Sequence, residues 1–330
     1  MISTGLFLKR NDQGKAFVCV HSFSLPDVGE FDVLLSFISA AINPADLNMI
    51  DQKYLIEPAL PFALGNEGVF RVLKLGSSVK GFKVGDRVLV PFKSANFWQG
   101  GWVHHLVALD SELVKIPGHF SDDLAALLTV NPLTAYLLLK ALSSQKNALV
   151  IQNAANSHMG RWIAIFSRYL GLTCFHVVRS QEAKESCPSW MQKTVYVYSD
   201  SLAVEGIFEG QERASLALNA VGGDQARFLA KCLKPHGQLM CYGAMAKQPL
   251  SFGNALFIFQ NIVLSGFNRS RWLNENSRET VFAAYEDIFS LIDDRVIQDL
   301  PITAKYPLLQ YEVALEKSKL SGGKVLFVHA

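Results

Sequence analysis

The stretch from Ala148 to Arg179 constrains the fold more than any other part of the chain. It opens with a short apolar run of strand length, followed by a turn of mostly small residues that ends at Gly160. Apolar residues at helical spacing continue to Gly171, which stands where such a helix would end. A second strand-like run then leads to Arg179. This order and length predict a β-α-β unit and therefore a parallel sheet.

The small-residue turn at 153–160 is the candidate site for a dinucleotide. Small residues let the backbone approach a pyrophosphate at the positive end of the following helix. Only Gly160 of the usual glycine fingerprint is in place, and His158 stands where another glycine is expected, so the turn alone also fits an ordinary α/β scaffold. Arg179 favours a cofactor, because an arginine at this point suits the 2′-phosphate of NADP, whereas NAD-binding folds place a carboxylate there. An ordinary exposed arginine is the alternative.

Length and composition limit the class of protein. A chain of 330 residues exceeds what one hydrophobic core usually serves, so we expect two domains. Half of the residues are apolar and the formal net charge is +2, a balance that calls for neither nucleic acid nor a membrane as partner. Five scattered cysteines without a C-x-x-C pair fit a reducing cytosol, so we expect a cytoplasmic protein. The first ten residues lack the order of a signal peptide and are expected to be mature sequence.

The pattern of the chain changes near residue 122. Before it, short runs rich in β-branched and aromatic residues alternate with turn signals, as in a β-rich domain. After it, helix and strand patterns alternate, which predicts a parallel sheet covered by helices. The apolar stretch at 124–142 is interrupted by Pro132, so we predict two buried helical pieces and no membrane span. A last long helix is predicted to begin with Asn276 as its cap.

Several motifs resemble those of a known superfamily, the medium-chain dehydrogenases/reductases. They are Asn43-Pro-Ala-Asp-Leu-Asn-Met-Ile50, Gly65-Asn-Glu-Gly68, Val84-Gly-Asp-Arg-Val88 and Asn131-Pro-Leu-Thr-Ala-Tyr136. Later segments resemble the 2-enoyl thioester (trans-2-enoyl-CoA) reductases of fatty acid synthesis, and quinone oxidoreductase-like proteins are next in similarity. These segments are Gln152-Asn-Ala-Ala-Asn-Ser157, Val177-Val-Arg179, Leu218-Asn-Ala-Val-Gly-Gly223 and Tyr242-Gly-Ala-Met-Ala-Lys-Gln-Pro249. The resemblance extends over essentially the whole chain.

The resemblance implies an α/β protein of two domains. Residues 1–121 and 276–330 would form a GroES-like β-barrel catalytic domain, and residues 122–275 a Rossmann-type doubly wound parallel sheet that binds the cofactor. The active site would lie in the cleft between these domains. Family members commonly pair through the edge of the cofactor domain's sheet, which makes the predicted strand at 262–267 a candidate contact in a homodimer.

The resemblance also bears on metal binding. Zinc-dependent members of the superfamily hold their metal with a cysteine near the Asn43 motif and a histidine in a Gly-His-Glu string. Here the first region has no cysteine and the second reads Gly65-Asn66-Glu67, so we expect no metal at this position. His104 and His105 cannot replace these ligands together, because adjacent residues on a strand point to opposite faces.

Individual residues take roles from the same resemblance. Tyr54 matches the group's active-site tyrosine as proton donor or enolate-orienting group, with Asn48 as a polar contact and Trp102 beside the acyl chain. The alternatives are a tyrosine packed in a barrel loop for Tyr54, a turn-capping asparagine for Asn48 and a core tryptophan for Trp102. The expected NADPH contacts are Asn43, Asn131, Thr134, Asn153, Asn156, Ser157, His158, Met159, Gly160, Arg179, Tyr242, Gly243, Ala244, Met245 and Phe267. The basic residues expected near substrate phosphates are Lys247, Arg269 and Arg271, and a solvated patch is the alternative for the two arginines.

Three hypotheses for function follow. The first is NADPH-dependent reduction of the carbon-carbon double bond of a 2-enoyl thioester, by hydride addition at the β-carbon and protonation at the α-carbon. The second is a quinone or enone reductase of the same fold. The third is a non-catalytic nucleotide-binding redox sensor, because His158 departs from the family pattern. The segment 181–199 also departs from that pattern, and Gln181 stands where a second basic residue is common.

Overall fold

The computed structural model describes residues 1–53, 58–92, 100–142, 144, 148–199, 202–320 and 322–329. The chain divides into two compact units, the first formed by Met1–Leu133 with Glu275–Ala330 and the second by Thr134–Asn274. Among the described residues, no helix has both the length and the apolar character needed to cross a lipid bilayer.

The described residues form strands and helices in the following order. The strands are β1 Ile2–Arg10, β2 Ala16–Ser24, β3 Asp32–Ala41, β4 Phe62–Ala63, β5 Val69–Leu75, β6 Arg87–Leu89, β7 His105–Leu109, β8 Val114–Lys115, β9 Leu149–Gln152, β10 Thr173–Val178, β11 Val195–Val197, β12 Ala214–Asn219, β13 Leu233–Cys241, β14 Val263–Gly266, β15 Ile302–Pro307 and β16 Lys324–Val328. The α-helices are α1 Pro44–Ile50, α2 Asp122–Ala125, α3 Asn131–Lys140, α4 His158–Tyr169, α5 Gln181–Glu185, α6 Val204–Phe208, α7 Gly223–Lys231, α8 Ala255–Ile258, α9 Arg269–Glu275, α10 Arg278–Leu291 and α11 Tyr311–Leu320. Short 3₁₀ helices occupy Asp110–Glu112, Ser189–Thr194, Asp294–Asp299 and Leu308–Gln310.

Strand β3 organises the first unit. It pairs antiparallel with β5, β7 and β16 inside a sheet of order β15-β16-β3-β5-β6-β8, and β1, β2 and β4 form a second sheet. Val33, Leu35 and Phe37 alternate along β3 and are almost completely buried, as expected when every second side chain faces the core. Because β16 pairs with β3, residues 324–328 complete a sheet to which residues 32–41 also belong.

The second unit is a doubly wound parallel sheet. Its six described strands lie in the order β11-β10-β9-β12-β13-β14, and all neighbouring pairs are parallel. Strand β9 is buried along its whole length, which is typical of a parallel sheet covered on both faces. The strand order reverses between β9 and β12, and ligands of such sheets bind at this switch point. The α/β class and the Rossmann-type topology predicted from the sequence are confirmed.

The β-α-β unit at 148–179 is present with small shifts of its bounds. Helix α4 begins at His158 because Ser157 caps it, with the Ser157 hydroxyl accepting from the Gly160 N–H at 3.0 Å. Gly171 ends the helical region with a φ of +68°. Of the two helical pieces predicted to meet at Pro132, the second is present as α3, with the proline in its first turn, whereas the first is the short helix α2, which ends at Ala125 and does not reach the proline.

Three local predictions were wrong or incomplete. The cap of α10 is Ser277, not Asn276, because the Ser277 side chain accepts from the Thr280 N–H. The string Pro235-His-Gly237, whose residue types predict a turn, lies instead inside β13, where the pairing with β12 shifts register and His236 adopts a φ of +63°. Strand β11 within the divergent segment was not predicted, since it has only three residues.

Candidate functional site

The turn between β9 and α4 is attached to the strands on both sides of β9. The Asn153 N–H donates to the Leu218 carbonyl of β12, and the Ala155 N–H donates to the Val177 carbonyl of β10, each at 3.3 Å. Between them Ala154 adopts a left-handed φ of +50°. The turn is therefore a fixed piece of backbone at the start of a helix of twelve residues.

Gly160 is required by the packing of the helix against this turn. A Cβ atom added there would lie 2.5 Å from the Ala154 oxygen and 2.6 Å from the Ala155 Cα. Because helix and turn pack this closely, the first N–H groups of α4 lie next to a turn of small residues. Phosphate groups bind at helix N-termini in this arrangement. The turn thus fits the pyrophosphate of a dinucleotide, although His158 replaces a glycine of the usual fingerprint.

Two buried side chains beneath the turn support it. The Gln152 amide nitrogen donates to the Gly160 carbonyl at 2.8 Å and lies 2.9 Å from Nδ1 of His176. Since the amide N–H is the donor, Nδ1 accepts and the ring carries its proton on Nε2. Burial lowers the pKa of His176 to about 3, so the ring is neutral near pH 7. Neither residue was predicted, although each is a polar residue in an otherwise apolar strand.

The burial of His176 predicts a pH dependence of stability. The folded protein binds fewer protons than the unfolded chain between the ordinary pKa of 6.5 and the folded value of about 3, so stability falls as the pH falls through this range. Between pH 7 and pH 5 this one group should lower the free energy of unfolding by about 2 kcal/mol. Urea unfolding at both pH values should show this loss in the wild type and its absence in His176→Asn, whose amide oxygen can accept from Gln152.

A substitution at an exposed histidine is the control for this measurement. His236 lies at the surface of the same unit, and His236→Gln should keep the pH dependence of the wild type. An equal loss of stability in wild type and His176→Asn would show that another group causes it.

Asn153 joins the two strands at the switch point. Its amide nitrogen donates to the Asn219 side-chain oxygen at 2.9 Å, and its amide oxygen accepts from the Ala220 N–H at 2.8 Å. The Asn219 oxygen also accepts from the Gly222 N–H at 3.0 Å. Both asparagines are completely buried. Asn153 therefore shapes the site by holding the loops after β9 and β12 together.

The other cofactor residues predicted in the second unit lie at the carboxyl ends of its strands. Arg179 follows β10 and is exposed, and the Tyr242 and Met245 N–H groups donate to the carbonyls of Asn219 and Ala220. Phe267 follows β14, its N–H donating to the Cys241 carbonyl. Predicted residues at this edge are Asn153, Asn156, Ser157, His158, Met159, Gly160, Arg179, Tyr242, Gly243, Ala244, Met245 and Phe267. Such an edge is where ligands of open α/β sheets bind.

The predicted residues Tyr242 and Lys247 differ in burial. Burial raises the pKa of Tyr242, whose hydroxyl is buried without a hydrogen-bond partner among the described atoms. Lys247 is exposed, with a φ of +53°. The remaining predicted residues lie on helices, Asn131 and Thr134 in α3 and Arg269 and Arg271 in α9.

In the first unit the Asn43 motif forms a buried polar cluster with the Gly65-Asn66-Glu67 string. The Asp46 carboxylate accepts from the Asn43 N–H at 2.8 Å and from the backbone and side-chain N–H groups of Asn66 at 2.9 and 2.7 Å. The Glu67 carboxylate accepts from the Asn43 amide at 2.6 Å and from the Val130 N–H at 3.1 Å. Asn66, which the sequence resemblance places at the histidine position of zinc-dependent members of the superfamily, is thus held by Asp46.

Lys324 of β16 supplies the positive charge of this cluster. Its ammonium donates to the Ile42 carbonyl at 3.2 Å and to the Asn43 side-chain oxygen. Burial raises the pKa of Asp46 and of Glu67 and lowers the pKa of Lys324. The Asn43 amide oxygen and one of its N–H groups are engaged inside the cluster, so its evident role in the structure is to join Glu67 to Lys324.

The structure describes two of the three predicted catalytic residues. Tyr54 lies outside the described residues. Asn48 is half-buried on α1. Trp102 is completely buried in the core of the first unit, where it packs edge to face against Phe327 with the ring centroids 4.9 Å apart. This environment fits the alternative of a core tryptophan. Within the ranges that the structure describes, no three His, Cys, Asp or Glu side chains are grouped to hold a metal ion.

Comparison with known proteins agrees with this geometry. Residues 29–118 match the family model of the alcohol dehydrogenase GroES-like domain. The chain is 35% identical over 261 residues to a mitochondrial enoyl-[acyl-carrier-protein] reductase of Caenorhabditis elegans, covering 78% of this chain and 74% of the relative. The human mitochondrial enoyl-[acyl-carrier-protein] reductase is 34% identical over 297 residues, covering 87% of this chain and 78% of the relative.

Solved structures show the same fold. The Etr1p/Etr2p heterodimer of mitochondrial 2-enoyl thioester reductase from Candida tropicalis matches with a TM-score of 0.82 and 25% identity. An Etr1p complex with NADP and crotonyl-CoA matches with a TM-score of 0.81 and 23% identity. Each match covers 100% of both chains. Escherichia coli quinone oxidoreductase complexed with NADPH matches with 0.78 and 22%, covering 98% of this chain and 99% of that one.

A GroES-like domain and a doubly wound cofactor sheet together define a medium-chain dehydrogenase/reductase. The similarity to reductases at 34–35% identity over most of the chain narrows the class further. The chain belongs to the enoyl thioester reductase family of this superfamily.

Proposed function

We propose that this protein is an NADPH-dependent enzyme that reduces the carbon-carbon double bond of a 2-enoyl thioester, carried by coenzyme A or by an acyl carrier protein. The observation that carries the proposal is the identity of about a third with relatives named enoyl-[acyl-carrier-protein] reductase, over most of the chain. The turn at the switch point supports it, because its geometry fits a dinucleotide phosphate.

The cofactor would be held at the carboxyl ends of the strands of the second unit. The turn from Asn156 to Gly160 would bind the pyrophosphate, Arg179 the 2′-phosphate, and residues 242–245 with Phe267 the nicotinamide half. NADPH supplies the hydride that adds to the β-carbon of the substrate. The complex of Etr1p with NADP and crotonyl-CoA supports this choice of cofactor, since that protein has the same fold.

Side chains of the protein would stabilise the negative charge on the thioester oxygen and supply the proton for the α-carbon. Hydride addition to the β-carbon places negative charge on the thioester oxygen, so the site needs hydrogen-bond donors directed at that oxygen and an acid for the α-carbon. Tyr54 would supply the phenol that orients the enolate or delivers the proton. Asn48 would be a second polar contact, and Trp102, which is completely buried, would support the acyl pocket from the core without contacting the acyl chain.

Contacts to the substrate's phosphates and the assembly of the enzyme belong to the same proposal. Lys247, Arg269 and Arg271 would attract the phosphates of coenzyme A or of a pantetheine arm. A homodimer would form through β14, because this edge strand leaves Val263 and Leu264 49% and 43% exposed. A cytoplasmic location remains a prediction from cysteine usage, whereas the matching relatives are named as mitochondrial.

Steady-state oxidation of NADPH tests the reaction. We expect turnover with crotonyl-CoA and little with a simple quinone under the same conditions. Turnover of the quinone alone would favour the quinone reductase, which shares the fold. Calorimetric binding of NADPH without turnover of either acceptor would favour a nucleotide-binding sensor and contradict the proposal.

A further inference from the structure

A buried arginine of α4 connects the cofactor turn to the divergent segment that follows Arg179. Arg161 is only 6% exposed. Its Nε donates to the Asn156 carbonyl at 3.1 Å, and a terminal guanidinium nitrogen donates to the Ser186 carbonyl. The Arg161 side chain therefore donates hydrogen bonds both to the backbone of the turn and to the backbone at the end of α5.

The bond to Ser186 fixes the helix that continues directly from Arg179. Ser180 caps α5, its hydroxyl accepting from the Ala183 N–H at 3.2 Å, and Ser186 is the residue at the other end of this helix. Arg179 is therefore joined through Ser180 to a helix whose far end is held by Arg161. Strand β10 holds the chain before Arg179 beside the turn through the bond from the Ala155 N–H to the Val177 carbonyl, and the attachment of α5 by Arg161 restrains the chain after Arg179.

We propose that Arg161 is a positioning residue for nucleotide specificity, which holds α5 against the cofactor turn and so keeps Arg179 within reach of the 2′-phosphate of NADPH. The inference rests on the proposed NADPH site. A planar guanidinium bonds two carbonyls in a fixed geometry, which a single ammonium or a shorter amide cannot reproduce. Because Gln181 stands where a second basic residue is common in the family, discrimination depends on the placement of one exposed arginine.

Binding of NADPH and NADH to three variants tests the inference. Arg161→Gln should weaken NADPH binding by about tenfold and NADH binding by less than about threefold, so that the preference for NADPH falls. Arg161→Lys should show the same fall, because it keeps the charge and loses the double attachment. The KM for NADPH should rise in both variants, with kcat at saturating NADPH unchanged.

Gln192 offers a matched control inside the same segment. Its amide donates to the carbonyls of Lys184 and Cys187, at 2.7 and 2.9 Å, and has no bond to the turn. Gln192→Ala should leave the ratio of NADPH to NADH affinity unchanged. The same fall as in Arg161→Gln would mean that general loosening of the segment is the cause, which contradicts the inference.

The outcomes separate the inference from the proposed function. If wild type binds neither nucleotide, the proposed function fails and the inference fails with it. If wild type prefers NADPH and Arg161→Gln keeps the same ratio, the inference alone is wrong. A wild-type ratio in Arg161→Lys would assign the effect to charge and also contradict it. Should Arg161→Gln not fold, Arg161→Lys decides.

Discussion

Replacing Lys324 with methionine should lower the free energy of unfolding by about 3–5 kcal/mol at neutral pH, as expected when one partner of a buried charge cluster is removed. The substitution leaves Asp46 and Glu67 buried without their ammonium and frees an acceptor on Asn43. Urea unfolding of the purified variant measures the loss. The loss should shrink as the pH falls, and this should begin above the ordinary carboxyl range, because burial raises the pKa of both carboxyl groups and their protonation removes the charge that Lys324 compensates.

An exposed lysine of the same sheet gives the control. Lys305 of β15 pairs with Asp123 at 2.6 Å, and both side chains are partly exposed. Lys305→Met should cost less than about 1 kcal/mol. A double variant, Lys324→Met with Glu67→Gln, should recover part of the stability lost in Lys324→Met, because one uncompensated carboxylate is gone. A cost at Lys324 as small as that at Lys305 would show that the cluster is neutral in the folded protein.

The second large effect is expected at Tyr54. Tyr54→Phe should lower kcat with crotonyl-CoA by about a hundredfold or more, the scale of a lost proton donor in the transition state. The change removes one hydroxyl and keeps the ring, so the affinity for NADPH measured by calorimetry should stay at the wild-type value. The comparison with NADPH binding separates loss of chemistry from loss of the cofactor.

Tyr169→Phe is the matched control, because it removes the hydroxyl of a tyrosine that is 45% exposed at the end of α4. Its kcat should equal that of the wild type. If Tyr54→Phe also turns over at the wild-type rate, another group protonates or orients the enolate, and Tyr54 has no part in the reaction.

Helices and strands are predicted correctly where the hydrophobic periodicity agrees with the glycine and proline signals at their ends. Gly171 and Pro132 mark ends of helices that the structure contains, and the alternation after residue 122 corresponds to the parallel sheet. Prediction of the cap of α10 failed because Asn276 and Ser277 are adjacent and both can cap a helix. Strand β11 was missed because three residues give too little pattern to recognise.

The side chains that support the site are harder to predict than its backbone. Asn153 and Asn219 are 66 residues apart in the chain, and only the sheet order makes them neighbours. Gln152 and His176 likewise meet because β9 and β10 pair in one register. Periodicity indicates which face of an element is buried, but it does not identify the partner of a buried polar group. The small-residue turn could therefore be found from sequence, whereas Arg161 and the cluster around Lys324 could not.

The pairing of β3 with β16 has a consequence for biosynthesis. A strand made of residues 32–41 takes its neighbour from residues 324–328, so the ribosome must synthesise all the residues between them before that neighbour exists. The intervening unit has all six of its described strands between residues 149 and 266 and can fold earlier, since domains generally fold as units during synthesis. Residues 39–41 of β3 must wait meanwhile with an unpaired edge, and an unpaired strand edge in a nascent chain is prone to aggregation.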